Sequence, residues 1–479
     1  MPDRLTTMIE VPKDLRDLLI QLEKRGFKAW VVGGSLRDRL LGREVSDWDL
    51  ATNARPEQVI KAFARVIPTG LAHGTVTVRF RGQSYELTTL RTERGYSDGR
   101  RPDEVHFVDT IEEDLARRDF TINAMAFDPG EQQLVDPYGG LDDLKRKTIR
   151  TVGQAEARFG EDGLRVLRAA RFVATLEFDL DPATEAAIPG ALEIFSKVSK
   201  ERIRDEIIKT MKAKQPSLAF EVMRRTGMLD YVCPKLSDQF GCEQNKWHAF
   251  DVWHHTMACL DACPVERALT RPEHYAEHAL VGRDHSKDIG LRMAALLHDI
   301  GKPATREHSL KTNDFTFYNH EKIGARMAEK WLKEHRFSNA QTSFIVRLIE
   351  HHLVCYSADW TDAAVRRFIK RVGTDLLDDL VALARADALA KGRAVDEELA
   401  LLDELQARIA SIQEQNHAIS AKDLRVNGSD LMKELNLAPS KQLGLLIEAL
   451  LEEVLEDPAR NDYDHLIKRA KELLEHGFH

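Results

Sequence analysis

Hydrophobic and polar positions along residues 28–150 follow the pattern of strands, with one helical stretch between them. The segments FKAWVV, TVTVRF and SYELTTLR are rich in β-branched and aromatic residues, which predicts strands. The segment RPEQVIKAFARV carries apolar residues at three- and four-residue spacing, which predicts a helix. The first 150 residues are therefore predicted to form an α/β domain.

From about residue 155 the strand pattern nearly disappears. EDGLRVLRAARFVATL, TEAAIPGALEIFSKV and KERIRDEIIKTMKA all have helical spacing, and LRVNGSDLMKELNLAPSKQLG interrupts the last helical stretch. We find no internal repeat and no low-complexity tract. The pattern predicts a small α/β head followed by an all-helical remainder, with boundaries near residues 150, 230 and 400.

Composition adds few restrictions. A length of 479 residues favours two to four domains, and 43% apolar with 31% charged residues fits a globular protein. No run approaches 18 apolar residues, so no membrane helix is predicted. The segment MPDRLTTMIEVPKDLRD lacks the apolar core of a signal peptide, and the five cysteines form no CxxC pair. The expected compartment is the cytoplasm.

The net charge of −9 weighs against general nucleic-acid binding. Arginines nevertheless cluster at Arg91, Arg94, Arg100 and Arg101, at Arg117 and Arg118, and at Arg165, Arg168 and Arg171. These clusters are either solvated helix faces or the wall of a basic cleft inside an acidic protein.

Two aspartates stand one residue apart in SDWDLAT. On a strand, Asp47 and Asp49 would point to one face, where two carboxylates repel each other unless a cation lies between them. Mg²⁺ binds one or two carboxylates together with substrate phosphates, and two such ions can act on an in-line phosphoryl displacement. A solvated pair of aspartates is the alternative.

A glycine pair precedes these aspartates. Gly33 and Gly34 would let backbone N–H groups approach a phosphate, and Arg37 would neutralise it. The full pattern GGxxRDxLLGxxxxDxD resembles the signature of the nucleotidyltransferase superfamily, in the class II subgroup of bacterial tRNA nucleotidyltransferases and poly(A) polymerases. The resemblance implies a mixed-sheet head, Mg²⁺, nucleoside triphosphates and an RNA 3′ end as substrate.

Further motifs extend the resemblance. RRDFTINAMA resembles the family's second motif, which implies that Arg118 holds triphosphate while Asp119 and Asn123 shape the ribose site. DPYGG resembles the hinge between head and neck. EDGLRVLRAARF resembles the base-recognition helix, and Arg168 and Arg171 on that helix would face phosphates.

The chemistry of base choice can be argued from that last segment. Asp162 and Arg165 are three residues apart and would share one helix face. A carboxylate accepts from an amino group and a guanidinium donates to a ring nitrogen. Cytosine and adenine both present an amine beside an acceptor nitrogen, and uracil and guanine present the reverse. Such a pair would accept CTP and ATP without a template.

Two neighbouring features bear on the same chemistry. Glu86 is either a third carboxylate near the metals or an edge-strand glutamate. Residues 91–107 read as a mobile loop. Family members that add the terminal adenosine have a mixed basic and acidic loop, and this loop contains Arg91, Glu93, Tyr96, Asp98, Arg100 and Arg101.

The helical part contains a second set of candidate ligands. His255, the adjacent pair His298 and Asp299, and Asp387 resemble the ligand set of the HD superfamily of metal-dependent phosphohydrolases. The resemblance implies attack of water on a phosphate ester at a site for Mn²⁺, Ni²⁺, Mg²⁺ or Zn²⁺. His320 together with His351 or His352 would hold a second metal. An HD fold without activity is the alternative.

Residues 401–479 resemble the tRNA-contacting tail of HD-bearing members, although Ser440 stands where those often have glycine. A plain helical hairpin is the alternative.

These observations predict an α/β nucleotidyltransferase head (1–150), then an all-α neck (151–230), HD body (231–400) and tail (401–479). The predicted activity is addition of the 3′-terminal CCA to tRNA from CTP and ATP, with phosphohydrolase activity at the HD site. An adenosine-only enzyme, a poly(A) polymerase and an HD phosphohydrolase with an RNA-binding head remain alternatives. No membrane partner is expected, and both monomer and dimer stay open.

Overall fold

The structure is a computed structural model that describes residues 9–71, 74–94, 104–264, 287–415 and 420–476. The chain divides into two compact units, Met1–Pro234 and Lys235–His479. The predicted fold class is confirmed, because a mixed sheet at the N-terminal end is followed by helices.

The first unit begins with a seven-stranded sheet in the order β3-β4-β5-β2-β1-β8-β9. Strands β2 and β5 are parallel, whereas the other neighbours in this sheet are antiparallel. The strands of this sheet are β1 (Ala29–Val32), β2 (Asp49–Thr52), β3 (Val66–Gly70), β4 (Thr75–Phe80), β5 (Gln83–Thr89), β8 (Ala126–Asp128) and β9 (Gln133–Val135). Strands β6 (Arg91–Arg94) and β7 (Glu104–Phe107) pair with each other in a separate sheet. The helices among them are α1 (Lys13–Glu23), α2 (Gly33–Leu40), α3 (Pro56–Ala62), α4 (Ile111–Ala116) and α5 (Gly140–Arg146).

The three predicted strands are present, but the predicted helix RPEQVIKAFARV is shorter than expected. Helix α3 ends at Ala62, and Val66 already opens β3. Strand β3 is an edge strand with mostly exposed residues, and it contains Pro68, which an edge position tolerates because no ladder donor is needed there. Its weak alternation explains why the sequence did not predict it.

The rest of the first unit is helical apart from the short parallel pair β10 (Thr148–Ile149) and β11 (Asp179–Leu180). Its helices are α6 (Ala155–Glu161), α7 (Leu164–Leu176), α8 (Pro182–Ala187), α9 (Leu192–Phe195), α10 (Lys200–Thr210), α11 (Ser217–Arg225) and α12 (Leu229–Val232). Helix α7 packs against α10 and α11. It buries an alanine-rich apolar face and leaves Arg168 and Arg171, three residues apart, on its other side.

The second unit is an assembly of helices with one hairpin, β12 (Glu307–Ser309) and β13 (Asp314–Thr316). The helices from the unit boundary onward are α13 (Pro234–Ser237), α14 (Val252–Ala262), α15 (Asp288–Leu297), α16 (Lys302–Thr305), α17 (His320–Glu334), α18 (Asn339–His351), α19 (Asp362–Val372), α20 (Leu377–Leu389) and α21 (Asp396–Glu414). Helix α14 packs against α15 and α20, which brings three segments of the predicted HD body together. The domain boundary near residue 400 remains a prediction. Residue 400 itself lies inside α21.

The C-terminal segment folds as α22 (Gly428–Leu435), α23 (Lys441–Glu456) and α24 (Tyr463–His476) around a leucine-rich core. Ser440 caps α23, since its side chain accepts from the Leu443 N–H at 3.3 Å. The residue that departs from the family pattern therefore has a local structural task. Among the described helices, none is long and apolar enough to cross a membrane.

Candidate active site and metal centre

Three carboxylates meet at the start of β2. Asp49 is the first residue of this strand, and Glu86 on β5 is its partner in the parallel register. Asp47 lies two residues earlier in a bend, so the pair does not share a strand as predicted. Partial burial, then the charge of Glu86 and more weakly that of Asp47, raise the pKa of Asp49. The excess negative charge is what a hard cation would neutralise.

A serine links these carboxylates to the glycine pair. The Ser35 hydroxyl donates to the carbonyl of Val32 at 2.9 Å and accepts from the Asp49 N–H at 3.2 Å. Helix α2 begins at Gly33, whose φ of +68° is unfavourable for residues with a Cβ. The α2 N-terminus therefore lies beside Asp49, and helix N-termini favour phosphate oxygens. Sequence reasoning missed Ser35, although it directly follows the glycines.

The predicted nucleotide-binding residues line one cavity of about 520 Å³. The structure brings together Gly33, Gly34, Arg37, Asp49, Arg118, Asp119, Asn123, Asp162, Arg165, Arg168 and Arg171. Four further lining residues were not assigned to the nucleotide site from the sequence, namely Arg117, Leu164, Phe172 and Arg202, although Arg117 belongs to one of the arginine clusters. The cavity thus joins Asp49 of β2 to the helix that was predicted to recognise the base.

Buried Asp114 anchors two of the arginines. Its Oδ1 accepts from Arg117 Nη2 at 2.9 Å, and its Oδ2 accepts from Arg118 Nη2 at 3.0 Å. Burial opposes ionisation of Asp114, but Arg117 and Arg118 outweigh that effect and lower its pKa. On the opposite side, Arg37 Nη1 donates to Asn123 Oδ1 at 2.8 Å. These bonds fix the guanidinium groups before any anion arrives.

Asp119 orients Arg168. Its Oδ2 accepts from Arg168 Nε at 2.8 Å and Nη2 at 2.5 Å, and its Oδ1 accepts from Asn123 Nδ2 at 3.1 Å. Burial disfavours the carboxylate, yet Arg168 and Asn123 hold its pKa far below the usual range. The ribose-shaping role expected of Asp119 and Asn123 remains a prediction.

The Phe172 ring is surrounded by three guanidinium groups. The Cζ atoms of Arg171, Arg37 and Arg168 lie 4.0, 5.2 and 5.5 Å from its centroid. The ring is buried and packs edge-on against Phe120, with centroids 5.6 Å apart. A ring face attracts cations, so Phe172 stabilises like charges that would otherwise repel one another.

Glu206 from α10 supports the same arrangement. Its Oε2 accepts from Arg171 Nε at 2.5 Å, and its Oε1 accepts from Lys209 Nζ at 2.9 Å. Burial opposes its ionisation, but Arg171 and Arg168 lower its pKa. No local sequence motif indicates Glu206, because its contact with Arg171 joins positions 35 residues apart.

The predicted base-recognition pair lies together, but not on one helix face as expected. Helix α6 ends at Glu161 and α7 begins at Leu164, so Asp162 sits between them with extended backbone. Its Oδ2 accepts from Arg202 Nη2 at 2.6 Å, and its Oδ1 accepts from the Leu164 N–H at 3.0 Å. The sequence did not predict this break, because the residues on both sides of Gly163 keep helical spacing and a single glycine does not require a helix to end.

Arg165 is buried and firmly held. Its guanidinium donates to the carbonyl oxygens of Arg158 at 2.9 Å and Arg117 at 3.2 Å, and it forms an ion pair with Glu161. Strands β6 and β7 pair near this part of the chain, with Arg91 opposite Phe107. The Glu93 side chain and the residues Tyr96, Asp98, Arg100 and Arg101 of the predicted loop lie outside the described residues.

In the second unit, histidine and aspartate side chains from separate helices converge on Asp299. His298 Nε2 lies 3.2 Å from Asp299 Oδ2, and His255 Nε2 lies 2.9 Å from Asp387 Oδ1. His320 Nε2 and His352 Nε2 lie 3.5 and 3.8 Å from Asp299 Oδ1. The side chains form two buried groups that could hold a metal ion, His255–His298–Asp299 and Asp299–His320–His352. Asp299 belongs to both groups.

The four imidazoles share one orientation. Their Nδ1 atoms lie against backbone carbonyls of Ala390, Ala295, Phe317 and Ile349, at 3.2, 2.8, 2.7 and 2.7 Å. Because a carbonyl only accepts, each Nδ1 carries its hydrogen and each Nε2 faces the cluster. Nε2 is then the atom available to a metal, which fits the chemistry of divalent transition ions.

Charge in the cluster also favours a cation. Burial opposes a positive imidazole at His298, yet Asp299 and Asp387 raise its pKa to about 10. Burial lowers the pKa of His352 to about 3, so this ring is neutral. The carboxylates thus draw positive charge to the place where Nε2 atoms converge.

The structure selects His352 over His351 as the ligand candidate. His351 lies outside both groups, although it was predicted as an alternative ligand. Neighbouring helical residues point about 100° apart, so only one of two adjacent histidines can face the cluster.

Two residues of the segment HDIGK complete this centre and were not predicted. Lys302 Nζ lies 2.7 Å from Asp299 Oδ2 and donates to Gln244 Oε1 at 2.7 Å. Gly301 allows close packing, because a Cβ there would lie 2.3 Å from the His320 carbonyl oxygen. The sequence signal that could have identified Lys302 is its position three residues after Asp299, a spacing at which helical side chains meet.

Comparisons with known proteins match these elements. The model of the poly A polymerase head domain matches residues 29–150, that of the probable RNA and SrmB-binding site of polymerase A matches residues 177–240, and that of the HD domain matches residues 271–392. The CCA-adding enzymes of Lactobacillus johnsonii and Lactobacillus delbrueckii are 47% and 49% identical over 229 and 228 residues. Each match covers 48% of this chain and 57% of the relative, so it spans little more than half of the relative's length.

Solved structures align over nearly the whole chain. The Bacillus stearothermophilus CCA-adding enzyme in complex with CTP has a TM-score of 0.71 and 26% identity, with 97% of both chains covered. The Thermotoga maritima CCA-adding enzyme complexed with tRNA has a TM-score of 0.58 and 19% identity over 98% of both chains, which supports the fold. The chain therefore carries a poly A polymerase head domain and an HD domain, as the resemblance to bacterial tRNA nucleotidyltransferases and poly(A) polymerases implied.

Proposed function

We propose that this protein adds the 3′-terminal CCA to tRNA from CTP and ATP without a template. The observation that carries the proposal is the single cavity that joins the Asp49 carboxylate to Asp162 and Arg165. In this assignment residues 1–150 catalyse, 151–230 choose the base, and 401–479 contact tRNA.

In the proposed reaction, the 3′-hydroxyl oxygen of tRNA bonds to the α-phosphorus of the triphosphate. The bond from that phosphorus to the bridging oxygen breaks, pyrophosphate leaves, and the hydroxyl proton passes to solvent. Asp47, Asp49 and Glu86 would hold Mg²⁺, which activates the hydroxyl and stabilises the leaving group when bound. The α2 N-terminus and Arg37, Arg118, Arg168 and Arg171 would bind the triphosphate.

Gly33→Ala should weaken triphosphate binding. The variant places a side chain at φ +68° and a Cβ 3.1 Å from Arg118 Nη1, so Arg118 must shift. We expect KM for CTP and ATP to rise about 10-fold, which is roughly 1.4 kcal/mol. Gly42→Ala is the control, because Gly42 has φ +72° but open space around its Cβ. Equal KM changes in both variants would contradict the assignment of Gly33.

Base choice is assigned to Asp162 and Arg165. The carboxylate accepts from the exocyclic amine of cytosine or adenine, and the guanidinium donates to the adjacent ring nitrogen. Uracil and guanine offer a carbonyl and an N–H at those positions, which leaves buried polar groups without partners and is costly. One fixed pair would thus accept two nucleotides and reject two.

Arg202→Ala should reduce this discrimination. Arg202 holds Asp162 Oδ2 at 2.6 Å, and without it the carboxylate can rotate. We expect the preference for CTP and ATP over UTP and GTP to fall about 10-fold, measured as ratios of kcat/KM. Arg204→Ala on the same helix is the control, since Arg204 pairs with Asp205 and does not line the cavity. Unchanged ratios would exclude this role for Arg202.

The function is tested with tRNAs ending at the discriminator base, at C and at CC. Each is incubated with each nucleoside triphosphate and Mg²⁺, and the products are resolved at single-nucleotide length. The proposal expects C, C and A to be added in order. Addition of adenosine to the CC-ending tRNA alone would identify an adenosine-only enzyme, and long adenosine tracts on unrelated RNA would identify a poly(A) polymerase.

We propose a second activity at the HD domain, metal-dependent hydrolysis of phosphate esters at RNA 3′ ends. The observation that favours it is the shared Asp299, which joins two groups of candidate ligands. A divalent ion held there (Mn²⁺, Ni²⁺, Mg²⁺ or Zn²⁺) supplies Lewis-acid activation of water. The water oxygen bonds to phosphorus, the P–O ester bond breaks, and the ribose oxygen leaves with a proton.

This second activity is tested with 2′-AMP, 2′,3′-cAMP and RNA ending in a cyclic phosphate. Release of phosphate, or opening of the cyclic ester, is followed with each of the four metals and with EDTA. Absence of turnover with every metal would reject the phosphohydrolase. CCA addition in the same preparation would show that the protein is folded.

A further inference from the structure

An exposed tryptophan lies on a loop that touches the HD centre. We name residues 243–250 the rim loop. Trp247 in this loop is 63% exposed, whereas Trp30, Trp48, Trp253 and Trp331 are buried and Trp360 is partly buried. Scattered exposed hydrophobic residues are ordinary, so the argument depends on how the loop is held and what lies beside the indole.

Contacts on either side of Trp247 fix the rim loop to the centre. Before the tryptophan, the Gln244 side chain accepts from Lys302 Nζ at 2.7 Å, and the same ammonium lies 2.7 Å from Asp299. After it, the His248 ring packs edge-on against the ligand candidate His255, with centroids 5.0 Å apart. Trp247 therefore lies between Gln244, which contacts Lys302 beside Asp299, and His248, which contacts His255.

The loop is also rigid in itself. Asn245 Oδ1 accepts from the Trp247 N–H at 3.2 Å and lies 3.0 Å from His248 Nδ1. The Ala249 N–H donates to the carbonyl of Lys391 at 3.0 Å. Lys391 in turn lines a cavity of about 310 Å³ that also includes His352 and Asp387. The backbone two residues after Trp247 is thus bonded to a residue that lines a cavity beside the ligand candidates.

A cation stands beside the indole. Lys246 Nζ lies 5.2 Å from the ring centroid of Trp247, and the Lys246 N–H donates to Asp314 Oδ2 at 3.2 Å. An exposed aromatic ring next to a positive charge is the arrangement that binds single-stranded nucleic acid, because the ring stacks on a base and the cation meets a phosphate. Charge complementarity thus favours a nucleotide over an apolar partner.

We propose that Trp247 is a stacking platform for the nucleobase of the nucleotide whose phosphate ester is hydrolysed at the HD centre. The substrate class is a nucleotide or single-stranded RNA end, with little preference among bases, since every base has a π face. The inference rests on the proposed phosphohydrolase activity and adds to it a base-binding subsite. The hydrolytic step is the one written above.

The test compares wild type with Trp247→Ala, Trp247→Phe and Leu310→Ala. Leu310 is the control, being 93% exposed in the same unit. Intrinsic fluorescence is titrated with AMP and UMP, with and without metal, and KM is measured for 2′-AMP and for glycerol 2-phosphate, which lacks a base. Trp247→Ala should abolish the quenching and raise KM for 2′-AMP about 10-fold, while KM for glycerol 2-phosphate stays constant. Trp247→Phe should retain most of the affinity, and Leu310→Ala should behave as wild type.

Several results would overturn the platform. An unchanged KM for 2′-AMP in Trp247→Ala excludes it, and so does an equal rise for glycerol 2-phosphate. A change of oligomeric state in Trp247→Ala, seen by sedimentation, would assign the indole to a contact between copies of the chain. If the wild type hydrolyses nothing, the phosphohydrolase fails, and the fluorescence titration alone decides whether Trp247 binds a base.

Discussion

Asp49→Asn is expected to lower the rate of nucleotide addition by about 10³-fold or more while leaving the HD activity intact. A thousandfold loss corresponds to roughly 4 kcal/mol of transition-state stabilisation. The reason is the place of Asp49 between Glu86 on the neighbouring strand and Asp47 in the preceding bend. An amide of the same shape removes the charge that a cation needs and preserves the strand.

The same variant should lose activity without losing thermal stability. Burial, Glu86 and Asp47 raise the pKa of Asp49, so its ionisation costs free energy in the folded protein. The contribution of Asp49 to stability is present at acidic pH and is lost as pH rises through the raised pKa. At neutral pH without Mg²⁺, Asp49→Asn should therefore unfold at a temperature equal to or above that of the wild type.

Glu44→Gln is the matched control, since Glu44 is exposed in the same segment. It should change neither rate nor melting temperature. A lower melting temperature for Asp49→Asn in EDTA would contradict the account of three repelling carboxylates. Loss of both activities with the fold intact would show that the two sites are not independent.

Asp299→Asn is expected to abolish metal binding at the HD centre while the proposed CCA addition continues. Asp299 belongs to both ligand groups, so one substitution should empty two positions. His352→Gln should remove only the metal ion held by Asp299, His320 and His352, because His352 belongs to that group alone. Metal content after dialysis against Mn²⁺, Ni²⁺ or Zn²⁺ measures the difference.

Asp299→Asn should also lower the free energy of unfolding. Asp299 lies 2.7 Å from Lys302 and 3.2 Å from His298, and removal of one member of a buried ion pair typically costs about 3–5 kcal/mol. Asp378→Asn is the control, since Asp378 is exposed on the helix that carries Asp387. Equal metal loss in Asp299→Asn and His352→Gln would indicate a single ion.

The sequence predicted what short segments can encode. The glycine pair, the two aspartates and the arginines of α7 are local patterns, and the cavity is lined by all of them except Asp47. The pairing of β2 with β5 was not predictable, because these strands are separated in sequence and their register decides whether Glu86 meets Asp49. Arg202 lines the cavity from α10, and Glu206 on the same helix contacts Arg171. A charged amphipathic helix has the same sequence pattern with or without such contacts.

Adjacent histidines show the same limit on a smaller scale. The pair His351 and His352 indicated a ligand, but the choice between them depends on which face of α18 meets α17, and that is a property of packing. Gly163 illustrates a further case, since glycine inside a helical pattern permits a break without requiring one. In both instances the residue type was informative, but the local geometry depended on packing with distant parts of the chain.

The arrangement around Phe172 has a consequence for the folding equilibrium. Seven arginines and three aspartates line the cavity, so the empty protein confines an excess of like charge that ring and carboxylate contacts only partly offset. A triphosphate bound as proposed would relieve that repulsion and would bind only the folded form. At 100 times its dissociation constant, such a ligand stabilises the fold by about 2.7 kcal/mol through mass action. In a cell rich in nucleotides, the substrate pool would thus act as a standing stabiliser of the first unit.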